Sequence, residues 1–337
     1  MRIGEHMSVL LTQAARRWQA ADPLLPWPSL PAGCGPMLLA SGTDGELASA
    51  GTCEHWTVEP GSLELAWGAA RRFRLTPCVG GPDVTGGLDR LLARWRDHLA
   101  GVPGTGEPDT AAIVTWPSRD IGGVAALRRR GLTPTDVIAA RPAGRASGSP
   151  AAPANGTAPR LADVLNLDGV RIRRAELADL DVVTALGVEV VRYDAHFSSV
   201  RERPGTAQWP GTAEALRCEA AGWLAAPAPW TWLAVRRGRP VGLLAAERPP
   251  SAAWIAPLTA AGPVAYIMLM FVEPAERGSG VGAALAAHMH READASGVAV
   301  TLLHHGVLNP LSAPFWSRQG YRPLWTTWEA TPARAIR

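Results

Sequence analysis

The stretch Ala265-Tyr266-Ile267-Met268-Leu269-Met270-Phe271-Val272-Glu273-Pro274-Ala275-Glu276-Arg277-Gly278-Ser279-Gly280-Val281-Gly282 decides the fold. An apolar run meets a proline, then a glycine-rich loop, then Ala283-Ala284-Leu285-Ala286-Ala287-His288-Met289. Leu285, Met289 and Ala293 recur four apart on one helical face, and Gly297 ends the helix. The pattern predicts a buried strand that feeds a loop opening a helix. Glycines let a ligand approach the backbone closely, and the free N–H groups of the first helical turn point out of the helix end. The loop therefore suits an anion.

Two nucleotide readings fail on spacing. A dinucleotide fingerprint needs G-x-G-x-x-G near the start of a domain, whereas Gly278, Gly280 and Gly282 lie late in the chain at the wrong intervals. A phosphate loop of the G-K-[ST] type needs a lysine, and this chain has none.

The segment Val272 to Gly282 instead resembles the acyl-CoA loop of the GNAT acyltransferase superfamily, whose R/Q-x-x-G-x-G/A signature is filled by Arg277, Gly280 and Gly282. A second motif of that family is matched by Asn309-Pro310-Leu311-Ser312-Ala313-Pro314-Phe315-Trp316-Ser317-Arg318-Gln319-Gly320-Tyr321, after a strand ending at His304-His305. Upstream, Arg171 to Glu176 with Asp179 and Leu180 is similar to the family's opening strand and first helix. The resemblance covers about 169–331. It implies that the amides of Gly278, Ser279, Gly280, Val281 and Gly282 cradle the pyrophosphate of acetyl-CoA or another acyl-CoA. It also implies that the backbone of Phe271 and Val272 pairs with the pantetheine arm, and that Arg277, Asn309 and Trp316 adjoin the cofactor. Asn309 is in addition a good cap ahead of Pro310.

Catalytic groups are not readable in the same way. Amine acylation needs a base for the ammonium proton and an acid for the thiolate. Where family members often carry a tyrosine this chain has Trp316, and Val264 to Val272 holds no carboxylate. His304, His305 and Tyr321 are weak candidates, with Asp194, His196 and Glu219 behind them. The stretch 193–203, with Trp209 and Pro210 beyond, corresponds to the acceptor side of the family fold. There Arg201 and Arg203 are placed to clamp a substrate carboxylate.

Length and composition set the frame. At 337 residues and 47% apolar content the chain can bury two cores, which excludes wholesale disorder. Residues 142–168 are dominated by small residues and proline and read as a linker between residues 1–141 and 169–337. The two parts repeat one element order. Leu39 falls on Leu233, and Asp120 and Gly131 fall on Asn309 and Gly320 at a constant offset of 309 − 120 = 320 − 131 = 189. The expected fold class is mixed α/β: two GNAT-like domains, each a twisted mixed sheet flanked by helices, the N-terminal one a degenerate copy. In that copy Gly80-Gly81 and Gly86-Gly87 leave amides open for weak CoA binding, while Asp83 would meet a phosphate with like charge.

All basic residues are arginine, net charge is +3, and no Arg-rich tract interleaves with aromatics, so nucleic acid is not an expected partner. Cys34, Cys53, Cys78 and Cys218 show no metal-ligand spacing, and free thiols fit a reducing compartment. No apolar run approaches the ~20 residues of a membrane span. The resemblance then implies a cytoplasmic N-acetyltransferase, monomeric or homodimeric and without metal, acting on a small-molecule amine in antibiotic biosynthesis. The rival reading is a CoA-thioester sensor or scaffold that has lost turnover.

Overall fold

The computed structural model describes residues 3–31, 35–145 and 169–337. The N-terminal half contributes helix α1 (Ile3–Ala21), strands β1 (Met37–Ser41), β2 (Leu47–Thr57) and β3 (Arg71–Val79), helix α2 (Val84–Ala100), strand β4 (Thr110–Pro117), helix α3 (Val124–Arg129) and strand β5 (Thr133–Pro142). The C-terminal half contributes β6 (Val170–Arg174), α4 (Leu180–Asp194), α5 (Thr212–Ala225), β7 (Thr231–Arg236), β8 (Arg239–Glu247), β9 (Val264–Val272), α6 (Val281–Ala295), β10 (Val300–Gly306), α7 (Ser312–Arg318) and β11 (Arg322–Ala330). Of the linker read over 142–168, residues 146–168 lie outside the described residues, and Ala143 still donates its N–H to the Ala299 carbonyl.

The mixed α/β class and the repeated halves are borne out, with one addition the sequence did not disclose. The two sheets are one, in the order β1-β2-β3-β4-β11-β5-β10-β9-β8-β7-β6. The last strand of each half has crossed over: β5 lies against β10 of the C-terminal half, and β11 against β4 of the N-terminal half. The registers show a pseudo-twofold relation. Pro117 faces Trp325 and Gly306 faces Asp136, and 306 − 117 = 325 − 136 = 189, the offset already seen in the sequence. Each crossed strand is central in the sheet, so neither half presents an unpaired edge at the junction.

Side-chain alternation then assigns the faces. On α2, Leu88, Leu91, Leu92, Trp95 and Leu99 pack on Phe73, Leu75 and Val114. In the C-terminal half Ile267 and Leu303 face Leu285 and Met289 of α6. Leu269 faces Val188, Val191 and Leu216 of α4 and α5 on the opposite side.

Candidate functional site

The site begins where two parallel strands part. β9 and β10 pair from Val264 with Val300 to Ile267 with Leu303, and no further. On its other edge β9 is held by β8, but Ala245 pairs Leu269 and Ala246 pairs Ile267, which leaves Met268 as an extra residue. This bulge reverses the alternation, so Ile267 packs under α6 while Leu269 packs under α4. Beyond it the edge of β9 facing β10 has no strand partner. A cavity of about 470 Å³ opens in the fork, lined among others by Met268, Met270, Asp194, His304, Asn309 and Trp316.

The glycine loop closes one end of this cavity. Gly278 (φ 82°) and Gly280 (φ 90°) lie in the left-handed region, which a side chain would strain. Gly280 is the residue that starts α6. Among the described residues, the amides of Gly280, Val281, Gly282 and Ala283 meet no acceptor. They form the exposed positive end of the α6 dipole. Gly282 serves packing as well: a Cβ there would sit 3.0 Å from Met270 Cε and 3.3 Å from Phe315 Cε2.

Arg277 works on the strand. Its Nε donates to the Val272 carbonyl at 3.1 Å, and its guanidinium lies 4.9 Å from the Tyr193 ring centroid and 5.6 Å from that of Phe271. Ser279 donates its hydroxyl to the Glu276 carbonyl at 2.7 Å, and the Val281 side chain is core, so both offer backbone rather than side chain. Trp316 is buried at the cavity wall, packed edge-on against Phe315 and Tyr321. Asn309 is a cap, as its sequence context predicts: Oδ1 accepts from the N–H groups of Leu311 and Ser312 at 3.0 and 3.2 Å. Its Nδ2 donates to Asp194 Oδ1 at 2.9 Å. That bond ties α7 to the end of α4 and holds the Asp194 carboxyl in the cavity wall, where burial pushes its pKa up.

The three proton-handling candidates separate clearly. Tyr321 is in the core, its hydroxyl 3.0 Å from His290 Nε2, and it does not line the cavity. His305 reaches the wall but is buried, with Nδ1 3.1 Å from the Gly306 carbonyl oxygen. His304 stands at the apex of the fork with part of its ring open to the cavity. Protein surrounds the rest of the ring, and this burial, with His305 beside it, holds the imidazole neutral with a pKa of about 4. Nδ1 of His304 is 3.0 Å from the Tyr266 hydroxyl. Sequence reading missed Tyr266 because it sits in an apolar run. The signal available was its phenol, the one acidic side chain between Val264 and Val272.

Arg201 and Arg203 do not reach this site. Arg203 donates to both Asp109 oxygens at 2.8 and 3.2 Å, to the Gly68 carbonyl at 2.9 Å and to the Leu65 carbonyl at 2.8 Å. Arg201 meets the same Asp109 at 3.1 Å. The pair fastens the α4–α5 connection to the N-terminal half, and the substrate-carboxylate expectation gives way to this interface role. Near the same junction of the two halves lie two acidic side chains. Asp136, brought in on the crossed strand β5, has its pKa raised to about 7 by burial, then by the nearby charge of Glu329, with a Thr135 hydrogen bond opposing and Asp194 adding to the rise. Burial raises the pKa of Glu329 too, against a 2.5 Å hydrogen bond from the Ser199 hydroxyl.

The corresponding groove of the N-terminal half is filled. β3 and β4 pair only from Arg71 with Thr110 to Leu75 with Val114, so a fork exists. Helix α1 lies against it: Leu10 and Ala14 pack on Ala50 and Cys78, and Gln13 accepts the Gly81 N–H at 2.8 Å. Gly80 donates to the Ala48 carbonyl, and Gly86 and Gly87 donate to the Asp83 side chain and carbonyl. The open amides expected there are therefore occupied. Trp116 stands where the 189-residue offset puts His305, buried, with its indole N–H on the Asp120 carbonyl at 2.7 Å.

A forked parallel strand pair with a bulge, a cavity, and a helix start of free amides together make up the candidate site of this α/β fold. Residues 196–321, within the C-terminal half, match the model of the acetyltransferase (GNAT) family. No curated protein matches the sequence significantly. Among solved structures, a GCN5-related N-acetyltransferase from Sphaerobacter thermophilus shares the fold, with a TM-score of 0.55 at 15% identity over 97% of this chain and 92% of that one. A GCN5-related N-acetyltransferase from Kribbella flavida aligns with a TM-score of 0.42 at 16% identity over 94% of each chain. A tandem GNAT protein from the clavulanic acid biosynthesis pathway aligns with a TM-score of 0.42 at 14% identity over 98% and 96%. No described helix is long and apolar enough to cross a membrane, and no group of three metal-ligating side chains occurs among the described residues.

Proposed function

We propose that the protein is an acyl-CoA-dependent N-acyltransferase, using acetyl-CoA, that acts in the cytoplasm on a small-molecule amine through its C-terminal half alone. The observation that carries this reading is the run of free amides from Gly280 to Ala283 beside the fork of β9 and β10. Pyrophosphate at those amides sends the pantetheine arm along the free edge of β9 by strand addition. The thioester then lies at the apex beside Met268 and His304.

The amine must lose a proton before or during its attack on the thioester carbonyl. His304 is neutral and has one nitrogen beside Tyr266, which leaves Nε2 for the acceptor. In this reading the Nδ1–H tautomer of His304 donates to the Tyr266 oxygen, which orients the ring, and Nε2 takes the proton of the amine nitrogen as the C–N bond forms. The carbonyl oxygen charge of the tetrahedral intermediate falls to backbone N–H groups of the β9 bulge. Collapse of that intermediate breaks the C–S bond, and the protonated His304 returns its proton to the departing thiolate, so that CoA leaves as the thiol and the amide remains.

Isothermal titration of acetyl-CoA followed by thiol release with an amine panel tests the proposal. Binding with thiol release supports it, binding without release on any amine establishes the sensor reading, and absence of binding removes both.

A further inference from the structure

On the acceptor side of the fork three aromatic rings meet at a carboxylate. Trp254 and His304 lie face-parallel within 10°, centroids 6.5 Å apart. Tyr266 stands across both, at 80° and 4.9 Å from Trp254 and at 77° and 5.6 Å from His304. The Trp254 indole N–H donates to Glu247 Oε2 at 2.6 Å, and Glu247 pairs with Tyr266 across the β8–β9 ladder. Trp254 is 57% exposed, so its ring can be reached from solvent. Among the described residues no arginine pairs with Glu247, and the neighbouring Glu219 carboxylate is also free of an ion pair. A ring corner backed by an unpaired carboxylate attracts an alkylammonium by cation–π and Coulomb forces together. An acidic substrate group would meet only repulsion there.

We propose that Trp254, Tyr266, His304 and Glu247 form an acceptor subsite for a second positive charge, so that the acceptor is a short diamine acylated at one end. This rests on the acyltransferase reading above. His304 belongs to both the apex and the ring corner, so one ammonium sits at the transfer point while the other occupies the corner one ring spacing away.

The test is titration of putrescine, butylamine and γ-aminobutyrate into the full chain loaded with CoA, repeated on Trp254→Ala and Glu247→Gln. Putrescine should bind tightest. Each variant should weaken it roughly five- to tenfold while leaving butylamine unchanged. Acetyl-CoA titration of the same samples keeps the two readings apart: loss of cofactor binding with a putrescine site sensitive to Glu247 refutes the transferase and not the subsite. Equal binding of putrescine and butylamine, preference for γ-aminobutyrate, or indifference of putrescine to both substitutions overturns the proposal. Glu247→Gln is isosteric, so a folding defect in Trp254→Ala leaves a clean readout.

Discussion

Arg17 donates Nη1 to the Val79 carbonyl at 2.8 Å, and Arg277 donates Nε to the Val272 carbonyl at 3.1 Å. The two carbonyls end equivalent strands of the two halves. The arginines reach them from different places, one from α1 and one from the glycine loop. Arg17 also spans to Asp120 Oδ2 at 2.7 Å, the position that corresponds to Asn309. One arginine thus seals a groove that its counterpart keeps open, which is why a duplicated fold has a single candidate site.

The open groove depends on Gly280. Its left-handed backbone resists any side chain, and a carboxylate there adds like charge beside the phosphates. Gly280→Asp should weaken acetyl-CoA binding at least tenfold, or about 1.4 kcal/mol, in isothermal titration. Wild-type affinity in that variant would move the cofactor elsewhere.

The sealed groove predicts the stoichiometry. Titration should give one acetyl-CoA site per chain, lost in Gly280→Asp, because the Gly80, Gly81, Gly86 and Gly87 amides are already bonded within the half. A second site that survives Gly280→Asp would show that α1 yields to the cofactor.

Much of the glycine-loop end of the cavity was legible because it is local. The loop, its helix and the Asn309 cap are each set by residues within a few positions of one another, and so is the element order of both halves. What escaped the sequence is set by contacts over long separations. Crossing of β5 and β11 depends on which edges meet, and neither strand carries a local mark of its partner. The arginine pair at 201 and 203 has the spacing for a carboxylate clamp, yet its carboxylate is Asp109 of the same chain. Tyr266 and Trp254 are ordinary apolar-run and loop aromatics until the fold sets them beside His304.

Arg203 is a test of that interface. Its four side-chain hydrogen bonds reach three places in the N-terminal half, and its side chain is largely covered. Arg203→Ala strands the Leu65 and Gly68 carbonyls and removes the Asp109 pair, at a cost of roughly 1–3 kcal/mol. Thermal denaturation should show a lowered Tm, while the acceptor KM on any productive amine stays within a factor of about two of wild type. A raised KM with wild-type Tm would restore the arginine to the acceptor site.

Asp136 gives the stability a pH signature of known sign. Burial and the nearby Glu329 raise its pKa to about 7, so the folded chain keeps this proton across a range where the unfolded chain has released it. Stability from this group is present below the ordinary aspartate range and is lost as pH rises to about 7. His304 and His290, with pKa values lowered to about 4 and about 3, act oppositely: the unfolded chain takes up their protons first, so stability falls as pH drops from about 6.5. Substituting Asp136→Asn leaves the histidines in place and removes the carboxylate, and it also relieves the charge facing Glu329 and Asp194. The difference in Tm between variant and wild type should therefore be small near pH 4 and grow in favour of the variant up to pH 8. Parallel Tm profiles for the two proteins over pH 5 to 8 would mean that Asp136 is ionised in the fold at neutral pH and that the crossed strand brings no buried proton to the site.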